Sequence, residues 1–193
     1  MIKVPALRLS WFVFFTTVGL EFVCGVWGCT FLVSAEGMTE SKAAELITLY
    51  YVGMTSGRII SGFLTKKFSQ QQIIYVGYSL VGVAIVILFL PLPAIVKGIA
   101  LFLIGLGNGP TFPNLAYLTP SFFGKEISPS VMGSQLASCN LGILIMPPVF
   151  GIIAQYLSVE FFPLILAILF VLMLISTIIY LKMKKTCYKE FIK

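Results

Sequence analysis

Long apolar runs broken by short polar or proline-containing turns set the outline of this chain. Crossing the hydrocarbon of a bilayer as a helix takes about 20 consecutive, mainly apolar residues. Six stretches approach or exceed that length: approximately Leu9–Ser34, Ala43–Thr65, Gln72–Leu90, Val96–Leu118, Pro129–Tyr156 and Phe161–Leu181. The segments between them, Glu36 to Lys42, Lys66 to Gln71, Pro91 to Pro93, Thr119 to Ser128 and Leu157 to Glu160, are short. Short connections make successive helices antiparallel neighbours. The expected fold is an all-α membrane protein, a single bundle of six transmembrane helices over residues 1–193. Six spans divide into two groups of three, approximately residues 1–90 and 91–193, and the second group then runs inverted relative to the first. The helix count carries that division, since no residue-level repeat is visible.

Composition agrees with the pattern. Of 193 residues, 59% are hydrophobic and only 10% charged, and the mean hydropathy is +1.02. Soluble domains carry about 25% charged residues, so this is an integral membrane protein. The formal net charge of +6 does not point to nucleic acid, because the basic residues lie between apolar runs and in the tail. They read as topology determinants and lipid-facing charge. One side of the membrane receives Lys3, Arg8, Lys66, Lys67, Lys125, Lys182, Lys184, Lys185, Lys189 and Lys193, and the other receives Lys42 and Lys97. That asymmetry predicts a multi-pass protein of the cell membrane with both termini cytoplasmic. The first run follows Lys3 and Arg8 as a signal peptide's would, but a signal h-region is only about 7–15 residues long. It is expected to stay in place as a helix.

The chain has no His and no Asp. Cys24, Cys29 and Cys139 fall inside spans and Cys187 in the tail, so neither a disulfide framework nor a metal centre is expected, and no cofactor. With no Ser–Lys pair suitably placed in the spans either, the sequence does not read as an enzyme.

Glu21 turns the reading from an anchor towards a route for something polar. It lies near the middle of the first span, and no other carboxylate sits so deep. An isolated carboxylate in hydrocarbon costs on the order of a few kcal/mol, so it turns inward onto a partner or a water-filled path. Helical spacing puts Thr17, Glu21, Cys24, Gly25 and Gly28 on one face, a stripe that meets either a cavity or a tightly packed neighbour. The fifth span carries Gln135, Ser138, Cys139 and Gly142, with Asn140 on an adjacent face. These groups suit either a polar solute or bonds across a helix interface. Pro147-Pro148 is expected to kink or break that helix. In the fourth span, Gly105 to Asn114 holds three glycines, two prolines and two asparagines, a poor continuous helix. Interrupted spans point to substrate sites, with a plain structural kink as the alternative.

The candidate substrate wall therefore comprises Thr17, Glu21 and Trp27, Asn108 and Phe112, and Gln135 and Ser138, the aromatic faces suiting sugar rings. Trp27 stands off the Glu21 face and also suits a packing contact. Arg58 lies about two turns inside the cytoplasmic end of the second span. It either snorkels to the headgroups or forms a gating relay with Glu126.

Some of these residues resemble a known family. Gly57-Arg58-x-x-Ser61-Gly62-Phe63-Leu64-x-x-Lys67-Phe68 resembles the loop after the second helix of a major facilitator half. The runs Gly19-Leu20-Glu21 through Gly25-Val26-Trp27, Phe112-Pro113, Phe123-Gly124-Lys125-Glu126 and Met146-Pro147-Pro148-Val149-Phe150-Gly151 are similar to the C-terminal half of fucose-permease-like sugar transporters, in order over about residues 5–182. Lys66 stands where the family's loop carries an acid, Ser69 replaces a glycine, and Gln70-Gln71 replaces a basic pair. Those departures bear on the loop's gating role. The resemblance implies the C-terminal six-helix half of a major facilitator fold, built as inverted three-helix repeats. It further implies a sugar or similar small polar solute, alternating access, coupling to H+ or Na+, and a six-helix N-terminal half as partner. The alternative is a non-transporting membrane subunit or an inactive truncated half-transporter.

Overall fold

Turn chemistry sets most helix boundaries close to the expected ones in the computed structural model, which describes residues 5–183. Lys3, Lys184, Lys185, Lys189, Lys193 and Cys187 lie outside the described residues. The helices are α1 (Pro5–Ser34), α2 (Glu40–Leu64), α3 (Gln70–Phe89), α4 (Ala94–Asn108), α5 (Thr111–Phe123), α6 (Ser128–Tyr156) and α7 (Phe162–Lys182). A short 3-10 turn, Val159–Phe161, leads into α7. Gly37 and Gly124 hold φ of 67° and 85° in the α1–α2 and α5–α6 turns, a region glycine occupies without strain. Ser69 starts α3 with a capping box. Its hydroxyl accepts from the Gln72 N–H, and the Gln72 amide oxygen accepts from the Ser69 N–H at 2.9 Å. Two otherwise orphaned donors are satisfied at once.

Among the described residues, five helical segments are long and apolar enough to cross a membrane: α1, α3, the stretch Ala94–Phe123 that joins α4 and α5, α6, and Val159–Lys182. Helix α2 has 25 residues. It does not reach the same apolar level, carrying Glu40, Lys42 and Glu45 near its start and Arg58 within it.

The proline-rich spans behave unequally. Helix α6 runs unbroken through Pro147 and Pro148, so of the expected kink or break, the break does not occur there. The fourth span is interrupted, but only at Gly109 and Pro110, both of which keep right-handed helical angles. What fails is hydrogen bonding. Proline has no N–H, so Pro110 and Pro113 release the carbonyls four residues earlier, those of Leu106 and Gly109.

Helix α1 lies at the centre, packed on α6, α7, α2 and α4, while α2 and α3 flank α4. The α2–α4 seam is built from two facing small-residue repeats, Gly53-x-x-x-Gly57 and Gly105-x-x-x-Gly109. A Cβ on Gly53 would strike the Phe102 carbonyl, on Gly57 that of Leu106, on Gly105 that of Tyr50, and on Gly109 that of Met54. Gly77 and Gly107 meet in the same reciprocal way between α3 and α4. Such contacts bring backbones together without a hydrophobic drive, which bilayer lipid does not supply. Side chains close the rest. The Tyr78 and Thr177 hydroxyls bond at 2.8 Å between α3 and α7, and Phe122 stacks on Tyr180 at 4.5 Å. At the opposite end from Lys125, Lys97 and Glu36 pair at 2.6 Å, tying the α1–α2 turn to the start of α4.

Candidate functional site

Two opposite charges meet between α1 and α2. Helix α1 presents Glu21 and α2 presents Arg58, with Nη2 donating to Oε1 at 3.3 Å. The carboxylate side chain is 13% exposed and the guanidinium 48%. The local sequence explains the placement. The Tyr50 hydroxyl donates to the Glu21 carbonyl at 2.9 Å, and Gly25, one turn on, leaves room for the Tyr51 hydroxyl. Arg58 reaches further. Its Nε–H donates to the Gly109 carbonyl at 3.4 Å, one of the groups that Pro113 leaves without a helical partner. A single guanidinium thus joins the carboxylate of α1 to the interrupted span, using the planar fork that lysine lacks.

The small-residue stripe of α1 packs against neighbours. Thr17 is buried and its hydroxyl donates to the Val13 carbonyl at 2.7 Å. Gly28 faces Ile47 and Leu101, and Cys24 is buried. Asn108 is fully buried, and its amide N–H2 donates to the Thr17 carbonyl at 3.5 Å while its Oδ1 has no partner. Phe112 is half-buried with its ring edge-on to Phe14 at 5.6 Å. Gln135 is buried, with Oε1 accepting from the Thr119 hydroxyl at 3.1 Å and Nε2 without a partner.

Two of the expected wall residues serve the α1–α6 seam. Ser138 donates to the Trp11 carbonyl at 2.7 Å. Trp27 donates through its indole N–H to the Pro147 carbonyl at 2.9 Å, over Gly151, whose missing side chain makes room for the ring. The structure therefore brings Glu21 to Arg58 and Thr17 to Asn108, and sets Trp27 and Ser138 in a different contact.

The expected Arg58–Glu126 contact is not made. Glu126 is exposed in the α5–α6 turn, while Arg58 turns inward to Glu21. A pointer to that pairing lay in the chain: counted from the turn at Gly37, Glu21 is 16 residues back and Arg58 is 21 residues on. In antiparallel helices rising about 1.5 Å per residue, that offset is within reach of an arginine. Beside Arg58 a cleft of about 410 Å³ is lined by Ser61, Thr65, Gln70, Pro113, Asn114 and Tyr117. Asn114 crosses its floor, donating to the Ser61 hydroxyl at 2.8 Å and to the Pro110 carbonyl at 2.7 Å.

An all-helical membrane bundle with an internal ion pair set against an interrupted span is a class of polytopic protein, and residues 9–190 match the Major Facilitator Superfamily. The chain belongs to that superfamily, whose members are membrane transporters, so it is not an enzyme. It is similar to "Bypass of stop codon protein 6" of Saccharomyces cerevisiae, 23% identical over 200 residues that cover 96% of this chain and 39% of that protein. Among solved structures, the peptide transporter POT in complex with sulfate superposes with a TM-score of 0.78 at 18% identity, covering 94% of this chain and 38% of that one. FucP in its outward conformation gives 0.70 at 21% identity, covering 90% and 43%. At these identities the structural matches speak to the fold. The chain spans well under half the length of the proteins it matches.

Proposed function

We propose that this chain moves a sugar or similar small polar solute across the cell membrane by alternating access, coupled to H+ or Na+ at Glu21. In this reading α2 is the sixth span, the bundle corresponds to the C-terminal half of the fold as two inverted three-helix repeats, and a second six-helix bundle completes the path. The observation that carries it is the Glu21–Arg58 pair docked on the interrupted span. A carboxylate held by a guanidinium can exchange that partner for a bound cation, and Arg58 would then let go of the Gly109 carbonyl or turn to the cleft. One binding event thereby alters the contact between α1, α2 and the hinge of the fourth span.

Two further features support a polar occupant. The Asn108 Oδ1 and the Gln135 Nε2 are a buried acceptor and donor with unmet capacity, where the large majority of buried side-chain polar atoms are satisfied. The half-exposed Arg58 would be costly against lipid, which is the reason for a covering bundle.

The test is uptake of labelled fucose and related sugars into vesicles holding this chain with a second six-helix bundle, under imposed proton or sodium gradients. Glu21→Gln is expected to lower gradient-driven uptake at least about tenfold, the size of effect expected when a charge pair is lost. Uptake by the variant equal to wild type under both gradients would overturn coupling at Glu21.

The same proposal puts both termini and the loops at Lys66–Gln71 and Ser121–Ser128 in the cytoplasm, on the cation asymmetry of the loops. A single cysteine at position 125 in a cysteine-free background should resist impermeant reagent added outside intact cells. Labelling from outside would overturn the orientation.

A further inference from the structure

We infer that the groove between α2 and α3 is a binding site for one anionic phospholipid, with an acyl chain in the groove and the headgroup on Lys66 and Lys67. This rests on α2 lying in the membrane as proposed above. The cavity holds about 300 Å³ and is lined by Ile60, Leu64, Phe68, Ile73, Val76 and Leu80 among others, with Gly57 and Gly77 at its floor. It exists because of the glycine contacts: α4 presses its backbone onto Gly57 and Gly77, and without side chains there the space above stays open.

Its shape suits a chain. It runs from Gly57 to Leu64 on α2 and from Gln72 to Leu80 on α3, about 11 Å at 1.5 Å per residue. It opens through Ile60, Phe68 and Val76, which are 48%, 48% and 60% exposed. That mouth continues into the outer apolar surface of α3 at Val83 and Val86, the surface that hydrocarbon wets. Hydrocarbon is therefore the occupant at hand.

The charge at the end of the groove chooses the headgroup. Leu64 and Phe68 both line the cavity and bracket Lys66 and Lys67, which are exposed. No carboxylate lies between Gly57 and Leu80 in the sequence, and neither lysine forms an ion pair among the described residues. Two adjacent ammonium groups at the membrane surface attract an anionic lipid phosphate.

The test uses purified full-length chain in nanodiscs of equal parts phosphatidylglycerol and phosphatidylcholine. Co-purifying lipid is counted by native mass spectrometry after transfer to mild detergent. One phosphatidylglycerol should stay with the wild type in at least about threefold preference over phosphatidylcholine. Lys66→Gln with Lys67→Gln should abolish the preference, and Leu64→Trp, which fills the groove, should remove the retained lipid. A photo-crosslinking residue at position 76 should yield a lipid adduct. Retention in the bulk lipid ratio, retention unchanged by Leu64→Trp, or a position-76 adduct to a second copy or to a partner bundle would each overturn the site. The readout is lipid mass, so an inactive transporter does not affect it. Loss of far-UV helical signal in a variant is checked first, and Val76→Trp serves in place of any variant that fails to fold.

Discussion

Gly105→Ala is expected to destabilise the bundle by roughly 1–3 kcal/mol, the range for overpacking a tightly packed interior. The added methyl would strike the Tyr50 carbonyl, with the Met54 N–H at 3.0 Å behind it. Neither group can rotate away, because both are backbone. The helices must separate, and the neighbouring contacts at Gly53, Gly57 and Gly109 loosen together. Gly62→Ala is the internal control. It lies on α2, the helix that Gly105 of α4 faces; nothing stands within 4 Å of a Cβ there, and exposed helical glycine costs up to about 1 kcal/mol relative to alanine. That variant should be neutral or slightly more stable. Thermal unfolding in detergent, followed by far-UV circular dichroism, separates the two. Equal melting temperatures for Gly105→Ala and wild type would mean that α2 and α4 are not in backbone contact.

Exchanging the charges of the ion pair should recover function only in part. Glu21→Arg alone places two cations in contact and Arg58→Glu alone two anions, so each single variant should lose about 100-fold or more of gradient-driven uptake. The double exchange restores an opposite pair and should regain at least about tenfold over either single. It should not reach wild type, because a glutamate at position 58 has no N–H for the Gly109 carbonyl. Leaving a buried acceptor unmet costs about 1–3 kcal/mol. Arg58→Lys follows the same logic. It keeps the charge but loses the fork that serves Glu21 and Gly109 together, so it should fall well below wild type. A double exchange no better than the singles would show that Glu21 and Arg58 do not act as a pair.

The helices were legible, five of the six expected spans being apolar enough to cross a membrane among the described residues, because a bilayer leaves the backbone little choice. Every polar group of a crossing segment must be satisfied within it, so apolar length alone marks a helix. The end of α3 follows from Leu90 before Pro91, and the turns from Gly37 and Gly124. Proline was harder to interpret. Pro147-Pro148 suggests a kink or break, yet α6 runs through it, the two prolines freeing only the carbonyls of Ile143 and Leu144 one turn earlier. Proline content alone does not distinguish two lost bonds from the end of a helix.

Gly105 and Gly109 were visible as poor helix formers, but which helix each one faces depends on crossing geometry, which spacing does not encode. The candidate site was legible in its members more than in their pairing. Glu21, Asn108 and Gln135 stand out by being polar among apolar neighbours, and all three turn away from the outer surface. Arg58 was harder to place, because its length allows it to serve either the membrane surface or the interior. The carbonyl freed by Pro113 favours the interior.

The glycine seam also bears on how the bundle can change shape. Where helices meet through side chains, a rotamer change absorbs a shift of an ångström or so. Where they meet backbone to backbone, as α2 and α3 both do on α4, there are no rotamers to turn. These three helices therefore form a slab without slack, which keeps its internal spacing whatever the rest of the bundle does. Movement is left to joints made of exchangeable side chains: the Glu21–Arg58 pair between α1 and the slab, the Asn114–Ser61 bond, and the Thr119–Gln135 bond between α5 and α6. The end of the fourth span beyond Pro110 meets α2 and α6 through bonds of that kind, and α1 and α7 through the Phe112–Phe14 and Phe122–Tyr180 ring contacts. Every one of those contacts is made by side chains, so that end can shift against the slab by changing rotamers.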